Sequence, residues 1–125
     1  MSQSITTIRV LIVDDEPDLR VLLRTMLDID PRFEIVGEAA DGQAGVDLYR
    51  ELEPDVLLLD QRMPVLEGLE AARVVLREHP DQIVILMSAF LNDAIVQEAT
   101  KLGVQVVIGK QRLADIGDEI LRVVA

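Results

Sequence analysis

The chain has 125 residues, a length typical of a single domain, and half of these residues are hydrophobic. It has no cysteine, which excludes disulfides and thiolate metal sites. Its 12 basic and 23 acidic residues give a formal net charge of −11, which argues against direct binding of nucleic acid. We interpret most of the acidic excess as a contribution to solubility, and a minority of it as candidates for a cation site.

Membrane and export signals are not visible in the sequence. No apolar run approaches the roughly 18 residues needed to cross a bilayer. Residues 1–7 are mainly polar and lack the positive charges and the long apolar stretch of a signal peptide. We therefore expect a cytoplasmic protein without membrane contact, folded as one domain over residues 1–125 with its core over residues 8–124.

Five short apolar runs, rich in β-branched residues, alternate with longer stretches. Strands that are buried on both faces, as in parallel sheets, read as such continuous runs. The predicted strands cover residues 8–13, 33–36, 56–59, 83–87 and 104–108.

The stretches between the runs have the periodicity of amphipathic helices. Pro17 suits the first turn of a helix, and Leu22 and Leu23 belong to the stripe that is predicted to face inward. Asp41 and Asn92 are candidate N-caps of the second and fourth helices. The resulting order βαβαβαβαβα predicts an α/β fold in which a parallel sheet is covered on both faces and joined by right-handed crossovers.

Polar residues follow four of the predicted strands at or near the point where each strand ends. Ligands of open α/β sheets bind beyond the carboxyl ends of the strands, so we expect these side chains to meet at one edge. The residues are Asp14, Asp15 and Glu16 after the first strand, Asp60 after the third, Ser88 after the fourth and Lys110 after the fifth.

This set of residue types suits phosphoryl transfer to a carboxylate. Clustered carboxylates repel one another, and a hard divalent cation such as Mg²⁺ relieves that repulsion. A carboxylate can itself accept a phosphoryl group as an acyl phosphate. The oxygens of the transferred group then need neutralisation, which the metal, the Lys110 ammonium, and the Ser88 hydroxyl or backbone N–H groups can provide.

Each residue also has a plainer interpretation. The acidic run at residues 14–16 before Pro17 can mark only the start of a helix, because acidic side chains favour the first turn. Ser88 alone is typical of a loop, and Lys110 alone is typical of a solvated surface. The hypothesis of a site rests on the coincidence of all these residues at one edge of the sheet.

Four separate motifs carry a resemblance to a known family. They are VLIVDDEP at residues 10–17, DQRMPVLEG at 60–68, LMSA at 86–89 and, after Gly103, the pair Gly109-Lys110. In these motifs the chain resembles the receiver domain of two-component response regulators, especially receivers attached to helix-turn-helix output domains. The resemblance implies a flavodoxin-like, doubly wound (βα)5 fold with a five-stranded parallel sheet in the order 2-1-3-4-5.

The resemblance also implies a role for each candidate residue. Asp60 would accept the phosphoryl group, and Ser88 and Lys110 would contact that group. The implied Mg²⁺ ligands are Asp15 directly, Asp14 mainly through water, Asp60, and the backbone carbonyl of Arg62. Mn²⁺ would be able to replace Mg²⁺ at this site.

The partners that the resemblance implies are proteins. A sensor histidine kinase or a phosphotransfer protein would donate the phosphoryl group. The domain would assist that transfer and its own dephosphorylation, without being an enzyme in its own right. It would regulate an output domain or a separate partner, with transcription as one outcome, and would not itself bind nucleic acid. Dimerisation through the fourth and fifth helices is a further option that the resemblance leaves open.

Three positions bear on how such a domain would work. Val107 stands three residues before Lys110, where the family usually has an aromatic residue that swings inward on activation. Valine is too short and too stiff for that motion. Arg62 and Phe90 flank the acceptor and the hydroxyl, at positions that in the family tend to control water access and hence the lifetime of the phosphoryl group.

Two other functions stay open on the sequence alone. A receiver-like module that binds a partner without being phosphorylated would account for Val107, although a pure scaffold gains nothing from clustered carboxylates. A phosphohydrolase with an aspartate nucleophile shares the acyl-phosphate chemistry. Such enzymes resemble one another in a second acid two residues after the nucleophile, where this chain has Arg62. The sequence names neither the kinase nor the output.

Overall fold

The structure, a computed structural model, describes residues 7–125 and alternates strands with helices along the chain. The strands are β1 (Ile8–Val13), β2 (Phe33–Ala39), β3 (Val56–Asp60), β4 (Ile83–Ser88) and β5 (Val106–Gly109). The α-helices are α1 (Pro17–Asp28), α2 (Gly42–Leu52), α3 (Gly68–Glu78), α4 (Asp93–Leu102) and α5 (Ile116–Val124), and a 3₁₀ helix (Lys110–Asp115) joins β5 to α5. None of the described helices is both long and apolar enough to cross a membrane.

The five strands form one parallel sheet in the order β2-β1-β3-β4-β5, which confirms the predicted flavodoxin-like arrangement. The order of the strands reverses between β1 and β3, which pair from Val10 opposite Val56 to Val13 opposite Leu59. In sheets of this type a crevice lies at the point of reversal, beyond the carboxyl ends of the strands. That crevice is where the sequence predicts the functional residues.

Both faces of the sheet are buried, which explains the continuous apolar runs in the sequence. Side chains of β1 alternate between the two faces. Leu11 and Val13 pack toward α2, α3 and α4, whereas Val10 and Ile12 pack toward α1 and α5. All five residues of β3 are buried because this strand lies at the centre of the sheet. At about 25 cal/mol per Å² of apolar surface, this two-sided burial is the main stabilising contribution.

The helix starts follow the capping signals in the sequence. The Asp41 carboxylate accepts the Ala44 N–H at 2.8 Å and the Asn92 side chain accepts the Ile95 N–H at 2.9 Å. Both predicted N-caps are therefore confirmed.

Leu22 is the one residue of the predicted α1 stripe that the structure turns outward. We expected it to face the core, but it is 47% exposed. The buried residues of α1 are Leu23 and Leu27, four positions apart, and Leu22 lies about 100° from Leu23 around the helix axis. The buried stripe of α1 therefore covers a narrower part of the helix surface than the adjacent leucines in the sequence suggest.

Two strands have a boundary that differs from the prediction by more than one residue. β2 continues to Ala39, three residues beyond the predicted end, although Glu38 interrupts the apolar pattern. β5 begins at Val106 rather than at residue 104. The cause lies in Gly103, the C-cap of α4, whose φ of 97° is left-handed. The N–H of Val104 therefore turns back to the Ala99 carbonyl of the helix and is lost to the sheet.

The edge of the sheet opposite the crevice holds a contact between α2 and α3. The Tyr49 hydroxyl forms a hydrogen bond with Nδ1 of His79, and the two rings pack edge to face with centroids 5.6 Å apart. Beside them, Arg50 and Glu78 form an ion pair at 2.5 Å. These contacts join the carboxyl ends of the two helices.

Two glycines allow the loop after β3 to pack tightly against its neighbours. A Cβ atom on Gly42, the first residue of α2, would lie 2.0 Å from the Leu66 carbonyl oxygen. A Cβ atom on Gly68, the first residue of α3, would lie 2.3 Å from the Asp60 carbonyl oxygen. Both clashes involve backbone atoms, which cannot move aside as a flexible side chain can. The loop between Asp60 and Gly68 is therefore fixed on two sides.

Gly68→Ala is expected to destabilise the fold by about 1–3 kcal/mol, the usual cost of an overpacked site. Gly117→Ala is the matched control, because Gly117 also lies in a helix but its Cβ would meet Phe33 at an ordinary 3.6 Å. The control should stabilise the fold by about 0.5–1 kcal/mol through higher helix propensity. Urea unfolding followed by circular dichroism measures both changes, and two effects of the same sign would contradict the packing argument.

Candidate functional site

Two buried aspartates form the floor of the crevice between β1 and β3. Asp14 directly follows β1 and is fully buried, and Asp60 is the last residue of β3 and only 2% exposed. The backbone fixes Asp14, whose N–H donates to the Ala39 carbonyl at 3.0 Å and whose Oδ1 accepts the Glu16 N–H at 2.9 Å. The structure thus brings together two carboxylates that are 46 positions apart in the sequence (60 − 14).

Lys110 reaches into this crevice from the end of β5. Its ammonium Nζ lies 3.1 Å from Asp60 Oδ1, 3.3 Å from Asp14 Oδ2 and 3.0 Å from Glu16 Oε1. The lysine side chain is 14% exposed, so these contacts are partly shielded from water. One ammonium therefore faces three carboxylates.

The acidic cluster exceeds its positive counter-charge. Asp14, Asp15, Glu16 and Asp60 each offer a carboxylate oxygen, and these oxygens lie within 4.8 Å of one another. Asp14 Oδ2 is buried and has no hydrogen-bond partner among the described residues, although Lys110 Nζ lies 3.3 Å away. Oxygen ligands that are close together and short of positive charge fit a hard divalent cation such as Mg²⁺.

Burial and mutual repulsion shift the protonation of these groups. Burial, and next the charge of Asp14, raise the pKa of Asp60 to about 6, although Lys110 acts in the opposite direction. Burial likewise raises the pKa of Asp14, against the hydrogen bond from the Glu16 N–H and the charge of Lys110. Burial tends to lower the pKa of Lys110, but hydrogen bonds to Glu16 and Asp60 outweigh it and hold that pKa above its usual value.

The raised pKa of Asp60 predicts that the metal-free protein loses stability as the pH rises from 3.8, the ordinary value, to about 6. In this window the folded state keeps a proton on Asp60 that the unfolded state has released, so raising the pH favours unfolding. The loss is at most about 3 kcal/mol, at about 1.36 kcal/mol per unit of pKa, and it levels off above the folded-state pKa.

Urea unfolding in the presence of a chelator measures this effect in the wild type and in Asp60→Asn. The asparagine variant should gain stability relative to the wild type across the window and stay more stable at neutral pH. Parallel pH profiles for the two proteins would contradict the prediction.

Ser88 lies at the same edge but does not contact the acidic cluster through its hydrogen bonds. It ends β4, where it pairs with Gly109 of β5. Its hydroxyl donates to the Phe90 carbonyl at 3.1 Å and accepts the Phe90 N–H at 3.2 Å. In this state the hydroxyl is bonded to its own loop.

Arg62 and Phe90 connect the two loops that flank the crevice. The guanidinium carbon of Arg62 lies 5.7 Å from the centroid of the Phe90 ring, which is within the range of a cation–π contact. A cavity of about 240 Å³ is lined by these two residues together with Gln61 and Ser88. The pair thus joins the loop after β3 to the loop after β4.

Residues 10–120 match the family described as the response regulator receiver domain. The chain belongs to this family. This receiver is 37% identical over 114 residues to the transcriptional regulatory protein LiaR of Bacillus subtilis. The aligned residues are 90% of the receiver and 54% of LiaR. It is 43% identical over 95 residues to the protein CcdB of the same species, and the aligned residues are 76% of the receiver and 78% of CcdB.

Solved structures of receivers have the same fold. The receiver domain of the response regulator NarL from Mycobacterium tuberculosis is 30% identical to this chain and superposes with a TM-score of 0.82, over 94% of this chain and 98% of that one. The present receiver spans about half the length of LiaR, 54%, so the two are comparable only in their receiver parts.

Sequence reasoning on this receiver missed two contacts. It placed Glu16 among the acidic residues after the first strand but gave its side chain no contact, whereas the Glu16 carboxylate binds Lys110, 94 residues further along the chain. It also gave no role to Gln61, whose Oε1 accepts the Leu69 N–H at 2.9 Å. Gln61 thereby caps α3 in place of Glu67, whose side chain makes no capping bond. The Glu16 contact left no local signal in the sequence.

Proposed function

We propose that this receiver is the phosphoacceptor of a two-component phosphorelay and that Asp60 carries the phosphoryl group. The observation that supports this most is the Lys110 ammonium held between Asp60 and Asp14 in a buried cluster of acids. A scaffold without phosphoryl chemistry would have no reason to bury two carboxylates at the cost of their desolvation. The donor would be a sensor histidine kinase or a phosphotransfer protein.

Mg²⁺ would be held by the acids of the cluster, with Mn²⁺ able to replace it. Asp15 and Asp60 would ligate the metal directly, Asp14 mainly through water, and the backbone carbonyl of Arg62 would complete the protein ligands. When bound, the metal would neutralise acids that Lys110 alone does not balance and would supply positive charge to a phosphoryl oxygen. Asp14 Oδ2, which is buried and has no hydrogen-bond partner within residues 7–125, supports this assignment.

Phosphoryl transfer would form a bond between an Asp60 carboxylate oxygen and phosphorus, and break the bond from phosphorus to the donor's leaving atom. Asp60 must be deprotonated to attack, and Lys110 favours the carboxylate form. Lys110 would then stabilise one oxygen of the transferred group. The Ser88 hydroxyl would exchange its contacts with Phe90 for another oxygen, which would alter the loop after β4.

Acetyl phosphate with Mg²⁺ is expected to add one phosphoryl group to the wild type and none to Asp60→Ala. Asp15→Ala should accept the group only slowly, because it loses a metal ligand but keeps the acceptor. Intact-protein mass spectrometry measures the added mass. Asp47→Ala is a control, since Asp47 is an exposed acid on α2 that lies outside the cluster. An unchanged mass for the wild type, or an equal gain in Asp60→Ala, would refute the assignment.

The contact between Arg62 and Phe90 is expected to prolong the life of the phosphoryl group by limiting the access of water. Arg62→Ala and Phe90→Ala should each hydrolyse the acyl phosphate faster, about twofold to tenfold, and the double variant should be little faster than either. Arg77→Ala, which removes the same charge from an exposed position on α3, is the control. Loss of the phosphoryl mass over time measures the rates, and additive effects of the two changes would contradict a shared contact.

The output lies outside the chemistry of this site. We propose that the receiver acts as one unit over residues 1–125 in the cytoplasm and regulates an output domain or a separate partner, as the transcriptional regulator LiaR suggests. Its own chemistry would be limited to receiving and losing the phosphoryl group, because Arg62 stands where phosphohydrolases have a second acid.

Apolar side chains of Leu91 and Val96, exposed beside and on α4, offer a surface for a dimer through α4 and α5.

A further inference from the structure

Glu16 stands at the start of α1 but its side chain does not serve that helix. It is the N-cap residue, and its carboxylate makes no capping hydrogen bond. The carboxylate instead lies 3.0 Å from Lys110 Nζ, as close as the acceptor Asp60 at 3.1 Å. The side chain is 62% exposed, so burial does not force it into this position. The charge of Lys110 is the attraction that holds it there.

The ammonium of Lys110 has a limited number of N–H groups to distribute. Three donors are available, and three carboxylates, those of Glu16, Asp60 and Asp14, already lie within 3.3 Å of Nζ. A phosphoryl group on Asp60 would bring a further anionic acceptor to the same ammonium. Glu16 would then be a rival acceptor, and its own negative charge would lie beside the incoming group.

We propose that Glu16 is a positioning residue that competes with the phosphoryl group for the Lys110 ammonium and thereby weakens the binding of that group. This inference rests on the proposed function of the site. It assigns to Glu16 a role that differs from the metal ligands and from the acceptor. Removal of the Glu16 charge should therefore strengthen the phosphorylated state rather than impair it.

Beryllofluoride, a phosphoryl mimic, tests the competition directly at saturating Mg²⁺. Glu16→Gln is expected to bind it about threefold to fivefold more tightly than the wild type, the range of a partly exposed ion pair. Glu67→Gln is the matched control, because Glu67 is also an exposed glutamate at a helix N-cap of the same edge and makes no side-chain capping bond. The control affinity should stay close to that of the wild type. Isothermal titration calorimetry measures all three constants.

Lysine NMR gives a second readout that a merely structural effect would not produce. The chain has two lysines, Lys101 on α4 and Lys110, so labelling with ¹³Cε-lysine gives two assignable signals with Lys101 as the internal reference. Competition predicts that the Lys110 signal of Glu16→Gln differs from that of the wild type before beryllofluoride is added. The two Lys110 signals should coincide at saturation, when Glu16 has released the ammonium.

The outcomes separate the two proposals. A wild-type protein that fails to bind beryllofluoride with Mg²⁺ overturns the proposed function itself. A wild type that binds, with an equal affinity in Glu16→Gln, overturns only the competition. Weaker binding in Glu16→Gln also overturns it, because Glu16 would then support the bound group. Glu16→Asp, which keeps the charge on a shorter side chain, guards against a folding defect and should have an affinity between the other two.

Discussion

The structure depends on the placement of two carboxylates, Asp14 and Asp60, at the buried ends of adjacent central strands. Carboxylates in such a position are costly, because burial removes their hydration and brings their charges together. One ammonium, from Lys110, offsets part of that cost, and the remainder appears as the raised pKa of both acids. The site therefore carries more negative than positive charge, and the fold holds that excess in place. A bound cation, or a change of charge at Asp60, would alter this excess of negative charge. For this reason we connect the geometry with a reversible modification.

The two sides of the crevice are built differently. The loop after β3 is tightly fixed, since Gly42 and Gly68 allow close backbone contacts and Gln61 caps the next helix from within the loop. On the other side, the Ser88 hydroxyl makes its hydrogen bonds with Phe90 of its own loop. Under the proposed function, a fixed Asp60 beside a locally bonded hydroxyl would favour transfer without distortion on one side and a loop rearrangement on the other. Val107 is partly buried against the core cluster of α2, α3 and α4, so the change would have to reach the surface without an aromatic side chain.

The sequence predicted what depends on periodicity and on strand ends. The parallel sheet and the arrival of Asp14, Asp60 and Lys110 at one edge follow from apolar runs and from the polar residues that end them. The order of the strands was implied by the family resemblance. Details that depend on contacts between distant parts of the chain could not be predicted from the sequence. Gly103 determined where β5 begins, because a left-handed turn took the next backbone N–H away from the sheet. The exposure of Leu22 depended on which leucines the sheet covers, and the partner of Glu16 depended on a lysine at the far end of the chain.

The contact between Tyr49 and His79 has a practical consequence for optical work on this receiver. The chain has no tryptophan and one tyrosine, and that tyrosine lies at the edge of the sheet opposite the crevice. Tyrosine fluorescence and absorbance therefore come from the end of the molecule opposite the crevice and not from the surroundings of Asp60. Phe90, an aromatic side chain at the crevice, absorbs only weakly, so a tryptophan introduced there would report on the proposed chemistry with little interference from the crevice itself.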